Sequence, residues 1–416
     1  MEAEGVSHDK VLPFAVPDIG QQEIDAVVGV LRSRWLTTGQ ECARFEQEFA
    51  AAVGASHAVA LNSCTAALHL SLEALGVGSD DLVFMSPYTF AATAEVVRYL
   101  GAKPVFVDID RMTLNMDPQL LRLAIRRSLD EGTGRPSAIM PVHIAGVPCA
   151  MDEIWDIARE NELAVVEDAA HAFPATRDGH RVGRLPEDIR GAVCFSFYAT
   201  KTITTGEGGM LTTEDQALAD RARSMSLHGL SRQAWSRYAE GGGWAYDIIA
   251  PGYKYNLTDV AAAMGRVQLT RAEEMWKRRS EIAGAYTEAF GDLDQVECPV
   301  VPPGVNSAWH LYLLRVNPGT GALSRDELID ALGARRVGTS VHFIPLHLHS
   351  YYKDKYGYEP DDFPVALAEF ERAVSLPIYS AISDADAQRV IDEVTAVTSR
   401  SVRPRGRPRP GNAVGW

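Results

Sequence analysis

Residues 192–210, AVCFSFYATKTITTGEGGM, constrain this 416-residue chain more than any other segment. From Ala192 to Tyr198 apolar and small residues alternate with aromatics, the pattern of a buried strand. A single lysine, Lys201, follows where that strand should end. A Thr-rich turn with Gly206, Gly208 and Gly209 comes next, and Met210 to Thr213 reads as a returning strand. A lysine held between apolar strands loses solvation, which lowers its pKa and makes the neutral, nucleophilic amine accessible. Glycines let the backbone pass close to a bulky group and take positive φ. Together these features point to a lysine that forms an imine with a carbonyl cofactor. The competing reading is a solvated loop lysine after an ordinary strand.

Two further segments favour the first reading. Residues 163–168, LAVVED, form an apolar strand ending in carboxylates, with Ala169-Ala170-His171-Ala172 directly after it. Residues 61–70, LNSCTAALHL, run from a strand end into an Ala/Leu-rich helix. Ligands of open α/β sheets sit beyond the carboxyl ends of the strands, where all three segments deliver polar groups. Pyridoxal phosphate is the cofactor whose needs they meet. Its phosphate suits the amides and positive dipole end of the helix opened by Cys64 and Thr65, with Ser196 adding a hydroxyl. Its pyridine nitrogen needs a buried carboxylate such as Asp168 to stay protonated, and its aldehyde needs Lys201.

At these residues the chain resembles the DegT/DnrJ/EryC1/StrS family, sugar aminotransferases of the type I pyridoxal phosphate fold. The matching pieces are WLTTG at 35–39, NSCTAAL at 62–68, PYTFAATA at 87–94, PVH at 141–143, EDAAHA at 167–172, FSF at 195–197 through Lys201, GEGG at 206–209 and GYKYNLTD at 252–259. They are collinear and span residues 12 to 395. GYKYNLTD and VGTSVHF at 337–343 look most like nucleotide-sugar 4-aminotransferases such as UDP-4-amino-4-deoxy-L-arabinose aminotransferase. The resemblance implies an α/β fold with a mostly parallel central sheet and a smaller C-terminal α/β domain. It also implies roles for matched positions. Lys201 would carry the cofactor and move the proton, Asp168 would pair with the pyridinium, and His171 would lie by the phenolic oxygen. Phe90 would stack on the ring, and Cys64, Thr65 and Ser196 would bind the phosphate. Asn256 would reach the phosphate from a second subunit, giving a homodimer with shared active sites. Many family members carry Gly where Cys64 stands, a change that a backbone amide contact survives.

The implied reaction moves an amino group from L-glutamate to a nucleotide-linked keto-sugar in a ping-pong cycle, at C4 of an NDP-4-keto-6-deoxyhexose because His171 resembles the 4-amino-forming members. The alternatives are a 3-keto-sugar or keto-cyclitol substrate, a pyridoxamine phosphate-dependent keto-sugar dehydratase, and a non-enzymatic PLP-binding regulator. The dehydratases replace the lysine with histidine, and a regulator needs no intact Lys/Asp/His set. Lys254 is the best basic candidate for the sugar or its diphosphate, against a solvated strand lysine, and His342 is a candidate to touch substrate. His342, His347 and His349 lack a carboxylate or cysteine partner, so no metal is expected.

Composition bounds the setting. A hydrophobic content of 46% supports a large core and about two domains. No apolar run is long enough for a membrane span, and the polar start MEAEGVSHDK is unlike a signal peptide. Five widely spaced cysteines without a CxxC pair read as reduced thiols, which places the protein in the cytoplasm. A net charge of −15 argues against nucleic-acid binding and requires locally placed basic residues for an anionic substrate. The expected organisation is an N-terminal arm (1–11), a large PLP-binding domain (12–258), a linking helix with a small C-terminal domain (259–400), and a disordered Arg/Pro tail (401–416). Glu23, Glu46 and Glu48 read as exposed faces of amphipathic helices.

Overall fold

The computed structural model describes residues 10–231, 246–319 and 323–399. Most of the N-terminal arm and the Arg/Pro tail lie outside the described residues. Helices α1 (Gln21–Ser33) and α2 (Gln40–Val53) precede a run of strand–helix units: β1 (His57–Leu61) and α3 (Cys64–Ala74), β2 (Asp81–Met85) and α4 (Ala91–Tyr99), β3 (Lys103–Phe106) and α5 (Pro118–Glu131), β4 (Arg135–Met140) and α6 (Met151–Glu160). Strand β5 (Ala164–Asp168) leads through the short β6 (Thr176–Arg177) and β7 (His180–Arg181) to β8 (Gly191–Ser196), β9 (Gly209–Thr213) and α7 (Gln216–Met225).

The central sheet has the order β1-β9-β8-β5-β4-β2-β3. It is parallel from β3 to β8, and β9 runs antiparallel to both its neighbours. Successive residues of each strand enter opposite cores: Val166, Ala192, Cys194 and Leu211 one, Val165, Val193, Phe195 and Met210 the other. Helices cover both faces, so both positions of the strand period are apolar, and the strands read as continuous hydrophobic runs. The return from β8 to β9 depends on glycine. Gly206 sits at φ 79, and a Cβ on Gly209 would lie 2.4–2.5 Å from the Ser63–Cys64 peptide.

The 32-residue α8 (Asp259–Phe290) begins at a Thr258 N-cap, and its far half packs in a third core. That core surrounds a three-stranded sheet, β10 (Val296–Glu297), β12 (Tyr312–Val316) and β13 (Ala373–Leu376), with α9 (Arg325–Ala334) and α12 (Asp384–Ser399). Strand β11 (Val305–Asn306) joins β6 and β7, while α10 (Ser350–Tyr356) and α11 (Pro364–Arg372) connect α9 to β13. Leu12 belongs to this third core and pairs with Val337. Among the described residues no helix is long and apolar enough to cross a membrane.

Two glutamates depart from the exposed-face expectation. Glu23 is only 1% exposed, because Gln268 and Arg271 of α8 bond its carboxylate from across the α1–α8 contact. Glu46 accepts from the Ala60 amide and from Arg223, which ties α2 to β1 and α7. Periodicity marks a polar residue on a helix without revealing that a partner helix brings a cation to it. Glu48 is the most open of the three and still pairs with Arg266.

Candidate active site

The parallel pair β5–β8 sets the centre of the site, with Asp168 in register with Cys194. Asp168 ends β5, and Lys201 follows β8 in a turn closed by its amide on the Tyr198 carbonyl at 2.9 Å. Both therefore lie at the carboxyl edge of the sheet, where strand ends leave a crevice. Asp168 is buried. Its Oδ2 accepts from Thr93 Oγ1 at 2.8 Å and its Oδ1 from the Ala170 amide at 3.2 Å. Burial pushes its carboxyl above the ordinary range, opposed by those two donors and by the Lys201 charge.

Lys201 Nζ lies 3.3 Å from His310 Nε2. Burial lowers its pKa to about 8. The His310 ring is 4.4 Å from that of His171, which stacks on Phe343 at 5.7 Å. Phe343 in turn lies 6.0 Å from Phe90, whose side is 62% exposed. Burial holds both His171 and His310 well below the ordinary imidazole range, so both are neutral. The Nδ1 atoms of His171 and His310 are buried and have no hydrogen-bond partner among the described residues.

The opposite rim is the start of α3. Ser63 caps it by accepting from the Ala66 amide at 3.1 Å, and Cys64 and Thr65 occupy its first two positions, where the helix's own ladder leaves amides unsatisfied. Burial raises the Cys64 thiol well above its usual range, so it stays protonated and uncharged. Ser196 ends β8, and its Oγ accepts from the Tyr198 amide at 3.3 Å.

Of three other residues singled out from sequence, Asn256 and Lys254 lie apart from this cluster and His342 borders it. Asn256 pairs its backbone with Leu61, donates from Nδ2 to Thr38 Oγ1 at 2.7 Å, and receives Lys254 Nζ at 2.6 Å. It lines a groove of about 1110 Å³ with Trp35, Thr38 and Arg266, a groove whose walls include none of Lys201, Asp168, His171 or His310. Lys254 is exposed and engaged with Asn256. His342 stacks on Phe14 at 5.5 Å and bonds Ser375 Oγ through Nδ1 at 2.7 Å, and burial lowers its pKa to about 4. His347 is buried against the Pro360 carbonyl, and among the described residues no His/Cys/Asp/Glu group is placed to hold a metal.

Sequence reading passed over Thr93 and His310. Thr93 lay within a matched motif, one turn after Thr89, which bonds it at 2.8 Å. His310 stands 109 residues from Lys201 and no local pattern connects them; its one signal is a polar residue entering the buried β12. A further layer supports β5. The Cys149 amide lies 3.1 Å from His143 Nδ1, and His143 Nε2 pairs with Glu167 at 3.0 Å.

The residues present suit pyridoxal phosphate. A half-buried amine, a buried carboxylate with no cation bonded to it, imidazoles with unpartnered nitrogens, an exposed aromatic ring and a helix start all lie beyond the carboxyl ends of the parallel strands.

Comparisons with known proteins agree. The model of the DegT/DnrJ/EryC1/StrS aminotransferase family matches residues 17–395. The chain is similar to the spore coat polysaccharide biosynthesis protein SpsC of Bacillus subtilis (strain 168), with 48% identity over 384 residues, 92% of this chain and 96% of that protein. Its structure is similar to that of Spr1654 from Streptococcus pneumoniae, named as a sugar aminotransferase and solved in PMP and PLP forms. Both match with a TM-score of 0.85 and 32% identity, covering 94% and 95% of this chain and 100% of theirs. DesV from S. venezuelae, solved with a ketimine intermediate, matches with a TM-score of 0.82 and 32% identity over 94% of this chain and 100% of its own.

Proposed function

The chain belongs to the DegT/DnrJ/EryC1/StrS aminotransferase family, and from that premise we propose that it transfers an amino group from L-glutamate to C4 of a nucleotide-linked 4-keto-6-deoxyhexose. The broader activity follows from the family and its solved members: a pyridoxal phosphate-dependent sugar aminotransferase of amino-sugar biosynthesis, with a keto-sugar acceptor and an amino donor. The likeness to SpsC supports an amino sugar destined for a surface polysaccharide.

The observation that carries the site reading is the half-buried Lys201 amine at the strand edge it shares with the buried Asp168. Bound there, the cofactor supplies an electron sink that stabilises negative charge on the carbon bearing the transferred nitrogen. Lys201 would hold it covalently and, once released, shuttle the proton between cofactor and substrate carbons; a pKa of about 8 lets it act as base and acid near neutral pH. Asp168, fixed by Thr93, would hold the proton on the ring nitrogen. The α3 amides, with Cys64, Thr65 and Ser196, would take the phosphate, Phe90 would cover the ring, and His171 would sit by its oxygen.

The position of Asn256 on a groove whose walls do not include its own Lys201 supports a role in a second subunit's site, as do the exposed Tyr246, Ile248 and Ile249 shortly before it in the sequence. Lys254 beside Asn256 would then meet the sugar diphosphate, and His342 the sugar. The substrate reading rests on His171, three residues past Asp168. Its test is a panel of UDP- and dTDP-linked 3-keto and 4-keto sugars assayed with glutamate, with NMR of the product. Nitrogen on C4 is expected; nitrogen on C3 with the 4-keto compounds inert overturns the regiochemistry.

A further inference from the structure

The loop that carries His310 is held with more effort than a connecting loop needs. Trp309 sits at φ 50, a left-handed conformation that a bulky residue adopts only where its surroundings impose it. Arg279 of α8, 2% exposed, donates through Nη1 to the carbonyls of Trp309 at 3.2 Å, His310 at 3.4 Å and Ile378 at 2.8 Å. From the other side Ala308 and Leu311 donate to the carbonyls of Gly146 and Ala145. A Cβ on Gly146 would come within 3.0 Å of Ala308 and of the Trp309 and His171 backbones, so the contact admits only glycine. The result of this clamping is one aimed side chain, with His310 Nε2 at 3.3 Å from Lys201 Nζ.

The tautomer decides what that contact does. His310 Nδ1 is buried without a partner. A buried bare acceptor is cheaper than a buried unpaired N–H, which places the proton on Nε2, facing the lysine. An Nε2–H can be received only by the lone pair of a neutral amine.

We propose that His310 donates its Nε2–H to Lys201 and so selects the free-amine state of that lysine, and that Arg279 is the positioning residue that aims His310. The inference rests on Lys201 being the cofactor-carrying residue. The groups that face the amine are the Asp168 carboxylate from β5, the uncharged Cys64 thiol from α3, the neutral His171 and His342, and the Arg279 guanidinium from α8. Arg279 is bonded to carbonyls rather than to a carboxylate, so its charge also disfavours an ammonium at Lys201. None of these groups makes a hydrogen bond to Nζ in the described contacts, whereas His310 does.

The test reads the lysine and not turnover. The full-length, cofactor-free protein is pulse-labelled with acetic anhydride across pH, and acetylation of Lys201 is followed by peptide mass spectrometry. The wild-type rate should rise with an inflection near 8. His310→Phe and His310→Leu keep the site dry and remove the donor, so the inflection should move up by about one pH unit, the worth of one hydrogen bond. His310→Gln, which keeps an N–H at the same reach, should return most of that shift. Arg279→Lys should move the inflection up too, and less than additively with His310→Phe. An unmoved inflection in both apolar variants, or a His310→Gln shift as large as theirs, overturns the proposal; additivity overturns the role of Arg279. A parallel borohydride reduction of the cofactor-loaded wild type maps the modified lysine. A residue other than Lys201 there sinks the site reading itself, whereas Lys201 modified with an unmoved inflection sinks only the role of His310.

Discussion

Two groups of buried charges in this molecule are treated in opposite ways. Beside the three-stranded sheet, the buried Arg315, Arg372 and Glu369 interlock with the half-buried Glu297 and the exposed Arg111. Arg315 reaches Glu297 at 2.8 Å and Glu369 at 3.5 Å, and Arg372 and Arg111 each reach Glu369 at 3.3 Å. Against the burial that would raise it, Arg372 and the neighbouring arginine charges hold the Glu297 carboxyl below its ordinary range. At the edge of the central sheet the pattern reverses. The Lys201 amine touches a neutral imidazole, Asp168 is held by a hydroxyl and an amide, and two histidines keep a nitrogen unpartnered. A buried charge without a counter-charge is costly, so a fold retains it where something else completes it. In the first cluster every carboxylate meets a guanidinium, although Arg315 Nε has no partner; in the second neither the amine nor the carboxylate is bonded to an opposite charge.

The largest test of this contrast is Lys201→Met. Turnover should fall by on the order of 10⁴-fold, the range of a lost general acid–base group, and borohydride should no longer fix the cofactor to this position. The same change should stabilise the cofactor-free protein. The folded pKa of Lys201, about 8, lies below the reference 10.5. Between those values the unfolded chain binds the extra proton, so wild-type stability should rise with pH through that window, and below it the full penalty applies. It is on the order of 3 kcal/mol. Urea melts at pH 7 and pH 10 check both statements. A variant that turns over at the native rate breaks the site reading, and one less stable than wild type at pH 7 breaks the contrast.

The two clusters were unequally legible in the sequence for the same reason that they differ in the fold. Strands β5 and β8 could be read because both faces of each are apolar up to the point where a carboxylate and a lysine interrupt the run. The long α8 announced itself by its unbroken helical pattern from Asp259 to Phe290. Thr93, His310 and Arg279 could not be read that way. Each acts through a partner brought by tertiary packing, on α4, before β12 and within α8, and each looks locally like a satisfied polar residue. Glu23 and Glu46 failed for that reason too: a helix face is polar whether water or a neighbouring guanidinium meets it.

A stability effect of the opposite sign, without the loss of turnover, should follow from Arg315→Met. It leaves Glu369 buried with fewer counter-charges, which costs about 3–5 kcal/mol of stability by the usual figure for breaking one side of a buried network. Activity per folded molecule should hardly change, since the described contacts of Arg315 include none with Lys201, Asp168 or His310. Because Glu297 is held below its ordinary pKa, its share of the wild-type stability is present above the usual carboxylate range and is lost as pH falls through the folded value. The Arg315→Met variant should therefore show a shallower loss of stability on acidification than the wild type. Equal slopes in urea melts from pH 7 to pH 4 would mean that this network is not what the pairing suggests.

The last way to sharpen the contrast asks whether a second copy of the chain completes the unpaired pocket. Asn256 is bonded to Thr38 and Lys254 on the wall of a groove that excludes Lys201. If Asn256 serves a partner's site, each site takes its lysine from one chain and its asparagine from the other. Mixing Lys201→Met chains with Asn256→Ala chains then has a defined arithmetic. In the heterodimer one site collects both lesions and the other receives neither, so that species should recover to about half of native activity. If both residues served one chain's site, each site of the heterodimer would carry one lesion. Purification of the mixed species by two affinity tags, followed by turnover per dimer, separates the cases. Recovery toward half places Asn256 across an interface. No recovery in a verified heterodimer returns Asn256 to its own chain and leaves the groove without a part in the chemistry.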